Sequence, residues 1–289
     1  MKSKSKSVKD IASKTLVIGH SPDADDAFMF YAIAKKKVGM PGYKIDHDMK
    51  DIQTLNKMAF KSALPVTAIS AAVYPKIASK YQIMDCGASV GRKYGPIILA
   101  PKTFKGENLK GKKVGIPGVY TTSFMLTQIY HKGFIPVFLD FDRVIEEIKK
   151  GSVDAGVIIH EGQITFKDTG LKKIADLGDE WFADTNLPIP LGLDVVRRSE
   201  GASLVKGMTR MLRESIIYAR AHEDDAIKYA MQFGRGIDTE TCRKFVRMYV
   251  NDDTVSLGVE GKLALKALYT RAAAGGLIDK VPPLDILKA

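Results

Sequence analysis

Cysteine is nearly absent. The 289 residues hold two, Cys86 and Cys242, far apart and outside any metal-ligand spacing. That excludes a disulfide framework and a cysteine zinc site, and it leaves both thiols as packed, reduced side chains. Tryptophan occurs once. No apolar run approaches the roughly 20 residues that cross a bilayer, so no membrane is expected as a partner. The start, Met1 to Lys9, is basic but leads into no apolar segment. The chain is therefore read as lacking a signal peptide and working in the cytoplasm. No Gly-Lys-Ser/Thr follows a glycine turn, which leaves triphosphate hydrolysis unsupported. No serine or cysteine stands in a nucleophile elbow. The histidines His20, His47, His131, His160 and His222 are dispersed, without metal spacing.

What is present is an ordinary globular composition, 45% hydrophobic and 27% charged. The net charge is +11, and four lysines fall in the first nine residues. No basic stripe interleaves with aromatics, so nucleic acid is not expected as a partner. A generally positive surface would help gather an anionic small molecule, although lysine-rich composition alone accounts for it.

The first half alternates strands and helices. Strands are expected at 15–19, 43–49, 66–69, 113–116, 136–141 and 154–159, with helices between them. Such repeats predict mostly parallel sheets with right-handed crossovers. From Ala202 the pattern turns helical, and Leu204, Met208, Met211, Leu212, Ser215 and Ile216 share one face. Two α/β lobes are expected: residues 1–100 with 197–289, and residues 101–196. Segments 94–100 and 191–196 would cross between them. The ligand cleft would lie between the lobes, with the helical tail packed on the first.

The stretch Val153 to Gly162 carries the sharpest chemical signal. A β-branched run ends abruptly in His160 and Glu161. A strand buried on both faces reads this way, and ligands gather at the carboxyl ends of such strands. His160 would then act as a general base toward a bound ligand, or simply cap the strand. Three other turns add polar groups. Asp23, Asp25 and Asp26 open a helix, where they could cap it, bind ligand hydroxyls or hold a hard cation. Ala68, Ile69 and Ser70 end a strand in small residues that let an anion approach free N–H groups, or Ser70 is an ordinary cap. Thr121, Thr122 and Ser123 follow a glycine turn and cluster hydroxyls at a helix start. His20 ends the first strand and is read as packed, with a cleft-facing role the alternative.

Together these turns resemble the menaquinone-biosynthesis branch of the two-lobed, type II periplasmic-binding-protein-like fold. The resemblance runs from about Leu16 to about Gly276. It is densest at Lys112 to Gly118, Thr121-Thr122, Ala155 to Glu161, Asp176-Leu177-Gly178 and Leu187 to Gly192. Thr54-Leu55-Asn56 and Tyr249-Val250-Asn251 also match. The resemblance implies a lyase that cleaves cyclic de-hypoxanthinylfutalosine and releases 1,4-dihydroxy-6-naphthoate. It implies His160 as the base, substrate contacts at Ala68 to Ser70 and Thr121 to Ser123, and no metal or other cofactor. The partner would be a small carboxylate substrate, and the chain a monomer or homodimer. Two departures stand out. Asp25 and Ala27 stand where the family usually has Asn and Thr, and Gly162-Gln163 replace a common Ser-Arg. The alternatives are a small-carboxylate-binding protein of the same fold without catalysis, and the sister enzyme chorismate dehydratase.

Overall fold

The computed structural model describes residues 14–106 and 108–288. The lysine-rich start lies outside the described residues.

Strands β1 (Lys14–His20), β2 (Tyr43–Met49), β3 (Val66–Ser70), β4 (Tyr81–Met84) and β5 (Ser89–Gly91) come first. Strands β6 (Ile97–Pro101), β7 (Lys113–Ile116), β8 (Ile135–Phe138), β9 (Ala155–Ile158) and β10 (Leu171–Asp176) form a five-stranded sheet in the order β10-β6-β9-β7-β8. Strands β11 (Ile189–Arg197) and β12 (Ile286–Leu287) return to the first sheet, in the order β12-β4-β11-β3-β1-β2 with β5 beside β11. Strands β3 and β9 are buried along their whole length, as the unbroken apolar run of β9 requires; in β3 the buried Thr67 and Ser70 hydroxyls are satisfied by hydrogen bonds.

The sheets are mixed rather than mostly parallel. β1 runs parallel to β2 and β3, and β7 to β8 and β9. β6 and β11 run antiparallel to their neighbours. The reason is topological. Each follows a passage between sheets, so it enters its sheet from the end where the parallel strands finish.

The passages themselves lie earlier than expected. β6 already belongs to the second sheet and β11 already to the first, so the chain crosses at 92–96 and 186–188. Lobe boundaries at 100 and 196 are therefore corrected toward the N-terminus. Close packing pins the first passage. A Cβ at Gly178 would lie 2.0 Å from the Tyr94 carbonyl carbon. Asp176 Oδ1 accepts from Gly95 N–H at 3.0 Å and Gly178 N–H at 3.1 Å.

The helical tail divides its packing. Helix Ala202–Ala221 buries the predicted stripe, including Met208, Met211, Leu212 and Ile216, against helix Ala24–Ala34. The last long helix, Gly258–Ala274, instead joins a core shared with the second lobe. Its Leu268 and Tyr269 pack with Leu126 and Trp181, and its Arg271 pairs with Asp184 at 2.6 Å. Each fully enclosed large apolar side chain here contributes about 2 kcal/mol. The tail therefore holds both lobes, not the first alone. Among the described residues no helix is long and apolar enough to cross a membrane.

Candidate active site

A cavity of about 760 Å³, its open mouth included, lies between the two sheets. Asp25, Asp26, Ala68, Ile69, Ser70, Thr121, Thr122 and Ser123 all line it. The first sheet supplies β3 and the start of helix Ala24–Ala34. The second supplies the start of helix Thr122–Tyr130 and Ile159, which follows β9. Strand carboxyl ends and helix amino ends converge there, as open α/β sheets dictate.

One wall is built of hydroxyls and amides. Thr121 caps helix Thr122–Tyr130, its oxygen accepting from Phe124 N–H at 3.2 Å. That hydroxyl also donates to the Gly118 carbonyl at 2.8 Å. Thr122 bridges the lobes, donating to the Leu191 carbonyl at 2.6 Å and accepting from Ala72 N–H at 3.1 Å. The N–H groups of Thr122 and Ser123 open the helix and have no partner within it. Ser70 Oγ accepts from Asn56 Nδ2 at 2.9 Å, which leaves its own proton free to donate. These donors suit an anion.

The opposite wall is acidic. Asp23 occupies the N-cap of helix Ala24–Ala34 but makes no side-chain capping bond. It accepts instead from Ser21 Oγ at 2.8 Å and from Arg235. Asp26 accepts from Ser21 N–H at 2.6 Å. Burial, and then the Asp23 charge, push Asp26 up to about 7. Asp194 lies behind this wall, 1% exposed, with Oδ1 unpartnered among the described residues. Burial, and then the Asp26 charge, raise it well above the carboxylate range, which favours the protonated form. Gly87 makes room for it: φ is +84°, and a Cβ would lie 2.2 Å from Asp194 Oδ2. Among the described residues no three His, Cys, Asp or Glu side chains are grouped to hold a metal.

His160 is placed differently from the other candidates. It is not among the cavity-lining residues. Its ring stands in the seam beside the cavity, edge-on to Phe141 with centroids 5.9 Å apart. Nδ1 accepts from Gly162 N–H at 3.0 Å, so the neutral ring carries its proton on Nε2. Nε2 is buried and unpartnered among the described residues. Burial, and then the Arg235 cation, bring His160 down to about 4, which keeps it neutral at physiological pH. Arg235 and Asp23 of the first lobe and Asp142 of the second act on the ring electrostatically. Buried Glu161, the next residue, pairs with Arg235 at 3.1 Å.

His20 is packed, stacked on Phe30 at 4.4 Å and joined to His47 at 2.9 Å. Both cysteines are buried and unpaired.

Two residues of the seam escaped the sequence. Arg235 of the first lobe binds Asp23 at 2.5 Å and Glu161 of the second at 3.1 Å, and lies 4.6 Å over the Phe141 ring. Its φ of 48° sits between two glycines, and that Gly-Arg-Gly tight turn was a usable signal. Asp194 is the other, a lone acid inside the apolar run Leu191 to Val196. Tyr249 and Gln163 complete the cavity and tie the lobes, the phenol donating to Gln163 Oε1 at 2.7 Å.

Two α/β lobes joined by two short passages, with a polar cavity between them, define the periplasmic-binding-protein-like fold of type II. The aliphatic sulphonate binding protein SsuA of Escherichia coli shares this fold at 14% identity, with a TM-score of 0.65 over 95% of this chain and 92% of that one. The chain belongs to the menaquinone-biosynthesis family, whose model matches residues 16–274. A 1,4-dihydroxy-6-naphthoate synthase of Thermus thermophilus is 34% identical over 93% of this chain and 98% of its own length. The crystal structure of protein AF1704 from Archaeoglobus fulgidus superposes with a TM-score of 0.88 at 45% identity, covering 91% of this chain and 98% of that one.

Proposed function

We propose that this chain is a carbon–carbon lyase of menaquinone biosynthesis that converts cyclic de-hypoxanthinylfutalosine to 1,4-dihydroxy-6-naphthoate. The observation that carries it is the match to the Thermus synthase along nearly the full length of both chains. The cavity adds physical support. The substrate carries a carboxylate, and the Ser70 hydroxyl with the Thr122 and Ser123 amides forms a donor corner for one. The ribose-derived hydroxyls then fall toward Asp25 and Asp26, which accept or donate hydrogen bonds. Neither the binding-protein alternative nor chorismate dehydratase gains comparable support.

His160 is the proposed base. A neutral imidazole at the end of β9, beside the cavity, can take a ligand proton at neutral pH. The electron pair left behind moves into the ring system, which becomes aromatic as the carbon–carbon bond breaks; the ribose-derived part leaves with that bond's electron pair and takes up the proton that His160 holds. The available lone pair is on Nδ1, so proton acceptance displaces the Gly162 hydrogen bond. Movement of the lobes would bring the ring to the ligand and exclude water. The cavity walls all come from one chain, which suits a monomer or a homodimer. Two buried, unpaired thiols suit the cytoplasm.

The test is turnover. Purified protein should release 1,4-dihydroxy-6-naphthoate from the cyclic substrate. The His160→Gln variant should lose about 100- to 10,000-fold in kcat with little change in KM. Undiminished kcat in that variant removes the base assignment.

A further inference from the structure

The acidic wall raises a problem that the proposed function leaves open. Asp23, Asp25, Asp26 and Asp194 crowd one side of a cavity that is to receive an anion. Three of them are accounted for. Asp23 is paired with Arg235, Asp26 holds the Ser21 N–H, and Asp194 lies behind the wall with its protonated form favoured. Asp25 is not. Its carboxyl lines the cavity, and its own backbone N–H is the sole donor that reaches it among the described residues.

The charges around Asp25 come from every side. Asp23 and Asp26 flank it on its own helix, and Glu161 faces it from the second lobe. Helix Thr239–Tyr249 turns Cys242 and Tyr249 toward it. Helices Ala202–Ala221 and Glu223–Ala230 place Tyr218 and Asp225 further along, against Tyr31. Arg235, the cation of the seam, is already engaged by Asp23 and Glu161. Among the described residues no ion pair reaches Asp25. Its position in the first turn of a helix favours the ionised form, an effect that is modest at such a site. Enclosure and the nearby carboxylates outweigh that.

We propose that Asp25 is held as a neutral acid facing the cavity and donates its O–H to a hydroxyl or carbonyl oxygen of the ligand. Burial, then Asp26, Asp23 and Glu161, raise it well above the carboxylate range, in keeping with this state. The acidic wall thereby becomes a donor wall at neutral pH, and ligand affinity falls as Asp25 ionises. The inference deepens the function proposed above and relies on it for the choice of substrate.

The experiment compares the pH dependence of kcat/KM on cyclic de-hypoxanthinylfutalosine for the wild type, Asp25→Asn and Asp25→Ala. The wild type should lose about tenfold per pH unit on an alkaline limb. Asp25→Asn keeps a donor of the same size. It should turn over at a rate lowered by about tenfold or less and lack that limb. Asp25→Ala should show raised KM at every pH. An alkaline limb that persists in Asp25→Asn overturns the proposal, and so does an asparagine variant as poor as the alanine one. Wild-type protein that does not turn over this substrate overturns the function proposed above, and that failure appears before any variant is compared. Carbon-13 titration of the Asp25 carboxyl then decides the proposal without a ligand. A neutral acid at pH 7 supports it, and an ionised one overturns it.

Discussion

The two walls of the cavity occupy the same structural position and differ in what fills it. Each is the opening turn of a helix that follows a strand, Ala24–Ala34 after β1 and Thr122–Tyr130 after β7. Each helix presents the positive end of its dipole. In the first, Asp25 and Asp26 already stand at that end. In the second, Thr122 and Ser123 leave the amides open to a ligand. Two extended N-caps thus open one helix on carboxyl groups and the other on hydroxyls. A substrate with a carboxylate at one end and hydroxyls at the other is oriented by that contrast.

The sharpest way to break the contrast is to make the second wall like the first. Ser123→Asp would place a carboxylate where the ligand's own carboxylate is proposed to bind. The substituent suits the dipole of a helix's first turn, but Ser123 is buried and its hydroxyl donates to Thr121 Oγ1 at 3.0 Å, so the enclosed carboxylate should also lower the melting temperature. KM for the cyclic substrate should rise about 100-fold, close to 3 kcal/mol of binding. Ser123→Ala, which removes the hydroxyl without adding charge, should leave KM within about tenfold of the wild type and so separates the charge effect from the packing effect. An unchanged KM would place the ligand carboxylate elsewhere.

The converse change acts on stability. Asp26 is raised from 3.8 to about 7 in the folded chain. Between those values the folded state holds a proton that the unfolded state has released. Its contribution is therefore full at low pH and is lost as pH rises toward 7. His20 and His160 are lowered from 6.5 to about 4, so the unfolded state binds protons the folded one refuses. Their contribution grows as pH rises from about 4 to 6.5. The wild type balances these opposite slopes. Asp26→Asn removes one of them, and the variant should gain about 2 kcal/mol relative to the wild type between pH 4.5 and 6.5. Urea unfolding across that range measures it, and parallel curves would show that Asp26 titrates normally.

The same contrast explains what the sequence could disclose. All nine residues singled out at the three turns meet in one cavity because strand–turn–helix units deliver turn residues to one edge of a sheet. Local pattern is enough for that. The helical stripe from Leu204 to Ile216 was legible for the same reason. His160 was legible as a strand-end residue, but its direction was not. That depends on Gly162 two residues on, and on Phe141 and Arg235, which reach it from two distant segments. The seam pair of Arg235 and Glu161 joins residues 74 apart in sequence. The mixed strand directions followed from where the chain crosses, and periodicity carries no such information. The split packing of the last helix was hidden likewise, since a helix names its apolar face but not its neighbour.

The smallest expected effect separates the two N-caps. Thr121 caps its helix through Phe124 N–H, whereas Asp23 at the equivalent position caps nothing and holds Arg235. Thr121→Val keeps the shape and removes the acceptor, which should cost about 1 kcal/mol in urea unfolding. Asp23→Ala should cost a comparable amount by a different route, because Arg235 loses one partner and its hold on Glu161 loosens. Double-mutant cycles with Arg235→Met distinguish the routes. Thr121→Val should add to Arg235→Met within about 0.5 kcal/mol, since the sites share no partner. Asp23→Ala should fall short of additivity by more than that. Equal additivity for both would mean that Asp23 acts on its helix after all, and that the acidic wall has no stake in holding the lobes together.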